Sequence, residues 1–390
     1  MRYILKNADR PLLVFRANMQ SSEADLQIEM VYEENRPFFP LNLVLTNDGV
    51  ENWLKHRTIP KNRAYVNALL SKTGLSINRP LGIIAVCKGL SLNDCFWVDR
   101  EDEPTTFEKV NLYDNRFSRI LAAVAFTGYG SSVRTPLLSS PEFSTNGMLP
   151  KCWRRMRGKI YLYKGGTSGF SNTGYEPYSE LYAYQIARAM GIHAIPYTLT
   201  KDLKKTLCSR CELFTSKEYA YMPVGQLVKK GGMPAVKTYY DSLGETFVDA
   251  LEDMIVFDAV ICNTDRHYGN FGVLINNQTN QIEKPAPLFD HGNSLFSLGG
   301  SDIWKDEAAF RKYADSLVPV AYDSFWEEAA AVMKPRHRAM LRKLLDFRFD
   351  RKATRYNLPA ARLKRIEEEV RARVRRLLSC GMVNGMDSNS

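Results

Sequence analysis

The stretch Asn263-Thr264-Asp265-Arg266-His267-Tyr268-Gly269-Asn270, with the Leu288-Phe289-Asp290-His291-Gly292 that follows it, constrains this chain more than any other part of it. Acid and amide side chains stand immediately before one β-favouring run, Phe271 to Ile275, and at the end of a second, Ala286 to Phe289. The polar turn Asn276-Asn277-Gln278-Thr279-Asn280 separates the runs, so the segment reads as a hairpin. Such a hairpin brings Asn270 and Asp290 side by side, with Asp265 a few residues upstream.

Three oxygen-bearing groups in that order fit phosphoryl transfer. The reaction needs little covalent chemistry and strict positioning: an aspartate to take the proton of an acceptor hydroxyl, and an asparagine and an aspartate to hold Mg²⁺ against the phosphates of ATP. Asp265 fits the base, and Asn270 and Asp290 the metal ligands; the Asp-x₄-Asn spacing is that of the protein-kinase catalytic loop. The same chemistry requires a lysine on a β-strand to grip the phosphates and a glutamate on the following helix to orient it. Lys164, at the end of the strand-like run Lys159 to Lys164, and Glu180, in the first turn of the next helical run, occur in the right order. Alone, each element is common; their joint order carries the reading.

The rest of the chain arranges itself around this constellation. Residues 1–126 read as a mixed α/β domain, with strands at Tyr3 to Leu5, Leu12 to Phe15 and Leu26 to Tyr32, a helical stretch from Val50 to Leu75, and an apolar strand at Leu81 to Val86. Loop chemistry dominates from Gly128 to Gly147. A hairpin follows, Lys151 to Arg155 and Lys159 to Lys164 around Met156-Arg157-Gly158, and then a glycine-rich run from Gly165 to Gly174. Ser179 stands where a cap would open a helix over Glu180 to Met190, which Gly191 would end. Further β character lies at Cys211 to Thr215 and Ala220 to Val224. Beyond Gly244 the pattern is mainly helical, starting with Thr246 to Cys262 and closing with a helix whose stripe is Leu363, Ile366, Val370 and Leu377, with arginines opposite.

Composition excludes several classes. A hydrophobic fraction of 45% and a charged fraction of 25% are those of a globular protein with a sizeable core. The N-terminus lacks the apolar core of a secretory signal, and no run reaches the length of a membrane span. Seven cysteines without repeated spacing suggest reduced thiols and a cytoplasmic protein, and the single pair Cys208-Ser-Arg-Cys211 lacks the further ligands of a zinc site. The net charge of +10 favours polyanions, with basic clusters at Lys151 to Arg157, Lys201 to Lys205 and Arg362 to Arg376. The last is the place to look for a nucleic-acid contact, or else is a solvated helix face.

On these residues the sequence resembles the HipA-like serine/threonine kinases, bacterial enzymes of the toxin–antitoxin kind in which the catalytic aspartate precedes the histidine. The resemblance is most specific over residues 263–290 and extends in order over about 140–300. It implies a two-lobed, protein-kinase-like α+β fold with a β-rich small lobe over residues 127–224, a mainly helical large lobe over 225–390, and the extra N-terminal α/β domain. It implies Asp265 as base, Asn270 and Asp290 as metal ligands, Lys164 as the phosphate lysine, and His267 near the nucleotide, where the imidazole otherwise braces the loop. By the same resemblance Ser144 to Lys151 matches the phosphate loop, with Gly147 allowing close backbone approach and Ser144 in the place of an autophosphorylated serine whose modification ejects the loop. Glu212-Leu213-Phe214 matches the hinge that receives adenine, with Phe289 below the base, unless Phe214 and Phe289 are simply core aromatics.

The departures are a missing Gly-x-Gly-x-x-Gly before Lys164 and an N-terminal region that matches the family only loosely. The expectation is therefore an ATP- and Mg²⁺-dependent kinase acting on a protein hydroxyl, with an antitoxin or other regulatory protein as partner. Two alternatives remain open. One is a lipid or other non-protein kinase of the same fold; the other is a non-catalytic nucleic-acid-binding or regulatory module.

Overall fold

Arg2–Asn7 (β1), Arg10–Arg16 (β2), Gln27–Val31 (β3) and Phe96–Arg100 (β4) form an antiparallel sheet in the order β3-β2-β1-β4 in the computed structural model, which describes residues 1–19, 26–129, 139–169, 174–202 and 206–380. Its buried face, with Leu5, Leu13 and Phe15, closes on Trp53, Leu54, Leu69, Leu70, Ile83 and Ile84. Those residues come from three helices, Asn47–Lys55, Val66–Thr73 and Pro80–Cys87. The last corrects the strand expected at Leu81 to Val86. An unbroken apolar run fits a buried helix as well as a buried strand, and Pro80 at the first position presets the helical φ.

Lys151–Met156 (β5), Lys159–Lys164 (β6), Tyr197–Lys201 (β7) and Leu207–Glu212 (β8) make a second antiparallel sheet, ordered β5-β6-β8-β7. The β5–β6 hairpin is the one expected: Met156 faces Lys159 across Arg157 and Gly158, both at positive φ (50° and 80°), as a tight two-residue hairpin turn requires. Between β6 and β7 runs the helix Glu176–Met190, ended by Gly191 at φ 86°. It starts a turn earlier than expected, so Ser179 is inside the helix, and its hydroxyl donates to the carbonyl of Ser294 (2.9 Å) instead of capping. Parts of the glycine-rich run, of the loop after Gly128 and of the Lys201–Lys205 cluster lie outside the described residues.

A third sheet, ordered β11-β10-β9, joins Tyr219–Pro223 (β9), Gly272–Asn276 (β10) and Ile282–Pro285 (β11). The hairpin at the signature segment exists, but its second strand is Ile282–Pro285 rather than Ala286 to Phe289. Pro285 and Pro287 interrupt the supply of N–H donors, and the chain beyond them pairs elsewhere. Leu288 donates to the carbonyl of His193 and accepts from Ile195 (2.9 Å each). This sheet and the helix Glu176–Met190 pack against the helices Gly232–Leu243, Glu245–Ile261 and Ala360–Ser379 in the largest core.

In the C-terminal helix Leu363, Ile366, Val370 and Leu377 are buried as their spacing requires. The arginines are not all on a solvated face. Arg362 is buried against the rings of Tyr175 and Trp304, at 3.8 and 4.0 Å. Arg373, also buried, lies 4.4 Å from the Trp326 ring and donates to the carbonyl of Ala259 (2.7 Å). Guanidinium groups that stack on aromatics and are met by a carbonyl can be buried where lysine could not. Among the described residues no helix is long and apolar enough to cross a membrane.

Candidate active site

The long helix Glu245–Ile261 stops at Cys262, whose left-handed φ of 52° turns the chain out of the helix and into the signature loop. Asp258, in the last helical turn and fully buried, receives Nε and Nη2 of Arg266 (2.8 and 3.0 Å) and Nδ2 of Asn263 (3.0 Å). Arg266 is itself fully buried, and its other contacts reach both halves of the constellation. Nη1 donates to the carbonyls of Asn270 (3.0 Å) and Phe289 (2.7 Å), and Nη2 meets Nδ1 of His291 (3.0 Å). One guanidinium thus sets the backbone beside Asn270 next to the backbone beside Asp290, the proximity that the hairpin reading called for. Burial, and then Arg266 itself, hold the His291 pKa well below its usual value, so this imidazole is neutral.

Asp265 is half-buried at the mouth of this loop. Its Oδ2 accepts from Nδ2 of Asn293 (2.9 Å), while its carbonyl accepts from Nδ2 of Asn270 (3.1 Å). The carbonyl of Asn293 in turn accepts from the backbone N–H and the hydroxyl of Thr264 (3.1 Å each). Asn293 therefore fastens the segment after Asp290 to the loop before Asn270 and orients the carboxylate between them.

Lys164 and Glu180 meet as expected, with Nζ donating to Oε1 at 2.9 Å; Nζ also pairs with Oδ1 of Asp290. The other oxygen of Glu180 accepts the backbone N–H of His291 (2.7 Å), and the N–H of Asp290 donates to the Tyr197 hydroxyl (3.2 Å). Asp290 holds a left-handed φ of 57°, a strained conformation that persists only where its surroundings fix it. Burial works against the charge on Lys164, but Asp290 and Glu180 outweigh it and raise the ammonium pKa above its ordinary value. Burial alone would raise the Asp290 pKa; the cations of Lys164 and Lys151 hold it well below the usual carboxylate range.

Lys151 is a site residue for which the sequence suggested no individual role. It stands directly opposite Lys164 in the β5–β6 register, so both project from one face of the sheet. Burial, and after it the neighbouring Lys164, push its pKa down from about 10.5 to about 7. Its Nζ reaches back to Gly147, at φ 89°, where any Cβ would have to displace the ammonium. The available signal was the hairpin register, which pairs the two lysines once the two-residue turn is fixed. Ser144 is buried, and its hydroxyl donates to the carbonyl of Leu90 (2.8 Å).

The remaining expected residues lie farther out. His267 is exposed, and its Nδ1 accepts the N–H of Gly269 (3.0 Å), so the imidazole braces its own loop. Glu212 reaches outward to Lys159 (2.8 Å). Phe214 lies 5.4 Å from Phe289, and Tyr221 packs edge-on against both. A cavity of about 410 Å³ beside Glu212-Leu213-Phe214 is lined by Tyr161, Thr198 and Arg210. Those residues alternate with Leu162, Lys164 and Cys211, so the cavity opens on the face of the sheet away from Lys164. A smaller cavity of about 80 Å³, lined by Ser144, Asn146 and Tyr221, lies between the N-terminal region and β9.

No cluster of three or more His, Cys, Asp or Glu side chains capable of holding a metal by itself occurs among the described residues. Mg²⁺ in a phosphoryl-transfer site takes one or two side-chain oxygens and completes its shell with phosphate and water. Arg266 brings the backbone of Asn270 near that beside Asp290, and both side chains carry oxygens of the kind Mg²⁺ takes.

No protein-family model and no curated protein matches the chain. Among solved structures, HipA of the Shewanella oneidensis toxin–antitoxin system, in its complex with HipB and operator DNA, is similar with a TM-score of 0.53. The likeness covers 96% of this chain and 97% of that one at 12% identity. The proinflammatory kinase CtkA of Helicobacter pylori gives a TM-score of 0.49 at 15% identity, over 63% of this chain and 94% of its own. Arrangement of strand lysine, helix glutamate, catalytic-loop residues and post-hairpin aspartate thus goes together with end-to-end similarity to one such structure: the chain has the fold of the HipA-like kinases.

Proposed function

We propose that the protein is a serine/threonine protein kinase that transfers the γ-phosphate of Mg-ATP to a protein hydroxyl, with a small lobe over residues 127–224, a large lobe over 225–390 and an N-terminal domain over 1–126. The observation that carries this reading is the joined set Lys164–Glu180–Asp290 beside Asp265 and Asn270, built on one buried arginine. In it Lys164 binds phosphate oxygens, Asp265 accepts the proton of the attacking hydroxyl, and Asn293 keeps that carboxylate turned to its task. Asn270 and Asp290 hold Mg²⁺, which when bound neutralises charge on the phosphates. Lys151 and Gly147 form the phosphate-facing side of the loop Ser144 to Lys151, and Glu212-Leu213-Phe214 is the hinge that receives adenine, with Phe289 below the base.

Autophosphorylation at Ser144 belongs to the same reading, and the buried Ser144–Leu90 hydrogen bond supports its regulatory sense. A phosphate cannot occupy that site, so a phosphorylated loop must leave it. The HipB–DNA complex of the Shewanella HipA extends the proposal to a regulatory protein partner of the antitoxin kind.

The test is transfer of labelled γ-phosphate to the protein itself and to a cell extract, in wild type, Asp265→Ala and Asp290→Asn. Loss of roughly 10²–10⁴-fold in kcat for Asp265→Ala is expected for a general base. For Asp290→Asn, transfer should vanish at any Mg²⁺ concentration. Wild-type protein that does not bind ATP would sink the proposal.

A further inference from the structure

We propose that the N-terminal region is the seat of the phosphate loop, and that Arg63 is the positioning residue through which it sets the grip on ATP phosphates. The inference rests on reading Ser144 to Lys151 as that loop. Arg63 is 2% exposed and lies in the turn between two N-terminal helices. Its Nη2 donates to Oε2 of Glu142 (2.9 Å) and to the carbonyl of Lys151 (2.7 Å). Its Nη1 donates to the carbonyls of Glu142 (2.9 Å) and Thr145 (3.1 Å). One planar fork therefore holds the loop before its glycine and after it, a geometry that a lysine ammonium cannot reproduce.

The neighbours of Arg63 act on the same segment. The N–H of Ile59 donates to the carbonyl of Phe143 (2.6 Å), the N–H of Ala64 to that of Met148 (2.8 Å), and the Ser144 hydroxyl to that of Leu90. Glu142 passes the constraint onward: its Oε1 accepts the N–H of Trp153 in β5, at 2.8 Å. The stretch around Gly147 is thus held by residues 59–64 and 90, far upstream of the loop, while the β5–β6 register sets Lys151 opposite Lys164. Without that seat, the loop retains its own turn and the β5–β6 pairing that sets Lys151 opposite Lys164, but the stretch from Ser144 to Met148 loses its outside anchors. The N-terminal region on this account is part of the nucleotide site, and whatever displaces it loosens the hold on phosphate.

The measurement compares wild type with Arg63→Lys, which keeps a cation beside buried Glu142. Binding of Mg-ATP and of adenosine is measured by calorimetry, kinase activity by initial rates, and backbone order by amide hydrogen exchange. Expected are a roughly tenfold weaker affinity for Mg-ATP, within the usual range of site-to-site coupling, and a matching rise in KM for ATP. Adenosine binding and kcat at saturating ATP should hold, and exchange should speed up at Ser144 to Met148 but not in the helix Glu245–Ile261.

Unchanged ATP affinity, or equal losses for ATP and adenosine, overturns the proposal while leaving the kinase reading intact. Wild-type protein that binds neither ligand overturns both. Should Arg63→Lys fail to fold, the double variant Arg63→Met/Glu142→Leu, which leaves no buried charge unpaired, undergoes the same measurements with the same criteria.

Discussion

At the scale of single residues, two buried cations define the site's energetics in opposite ways. Arg266 is satisfied throughout, by a carboxylate, two carbonyls and an imidazole. Removing Asp258 would leave that guanidinium uncompensated, and breaking a buried pair in this manner costs about 3–5 kcal/mol. Asp258→Ala should therefore lower the urea midpoint sharply, whereas Asp265→Ala, at the half-exposed end of the same loop, should leave it nearly in place.

Among the described residues Lys151 has no comparable partner. With its folded pKa near 7 and its ordinary value near 10.5, it is charged in folded and unfolded chains alike below pH 7, and there its burial weighs fully against folding. Between those values the unfolded chain binds more protons, so this group's penalty is relieved as pH rises. Nucleotide phosphates would restore its charge. Calorimetry at pH 8 in buffers of different ionisation enthalpy should then show proton uptake on ATP binding, and Lys151→Met should abolish it.

At the scale of elements, the sequence was most informative where local chemistry and tertiary packing agree. The β5–β6 hairpin, the helix ending at Gly191, the helix ending near Cys262 and the apolar stripe of the C-terminal helix were all legible, because turn residues and periodicity act over a few positions. The elements misread were those decided by distant partners. Leu81 to Val86 became a helix because helix and strand burial look alike in a short apolar run. Ala286 to Phe289 lost its hairpin partner to His193 and Ile195.

Asp265, Asn270, Asp290, Lys164 and Glu180 were legible as a set because their order is fixed by the topology. Arg266, Asn293 and Arg63 were not, since nothing in the chain marks which arginine or asparagine will be enclosed. The C-terminal helix makes the point testable. Arg373→Ala removes a carbonyl hydrogen bond and ring stacking, and should destabilise the protein by on the order of 2 kcal/mol. Lys364→Ala, on the exposed face of the same helix, should stay within about 0.5 kcal/mol. Thermal unfolding of the two variants side by side decides it.

For the whole molecule, the candidate site joins residues spread from Lys151 to Asn293, and ligand binding there should register globally. Mg-ATP at a hundred times its dissociation constant should add about 2.7 kcal/mol to the stability of the folded state, visible as a rise in Tm. Chelation of Mg²⁺, or Asp290→Asn, should remove most of that rise; a Tm indifferent to both would contradict the assignment of Asp290 as a metal ligand. The distribution of the candidate site along the chain has a further consequence, in time rather than in space. A ribosome releases the amino end first, so Arg63 and Leu90 emerge well before the loop they hold. Lys164 is followed by Asp290 only 126 residues later, an interval of roughly 6 to 25 s at about 5–20 residues per second. During its own translation the protein can seat the loop from Ser144 to Lys151 early, whereas the Lys164–Asp290 pair cannot close until Asp290 has been made.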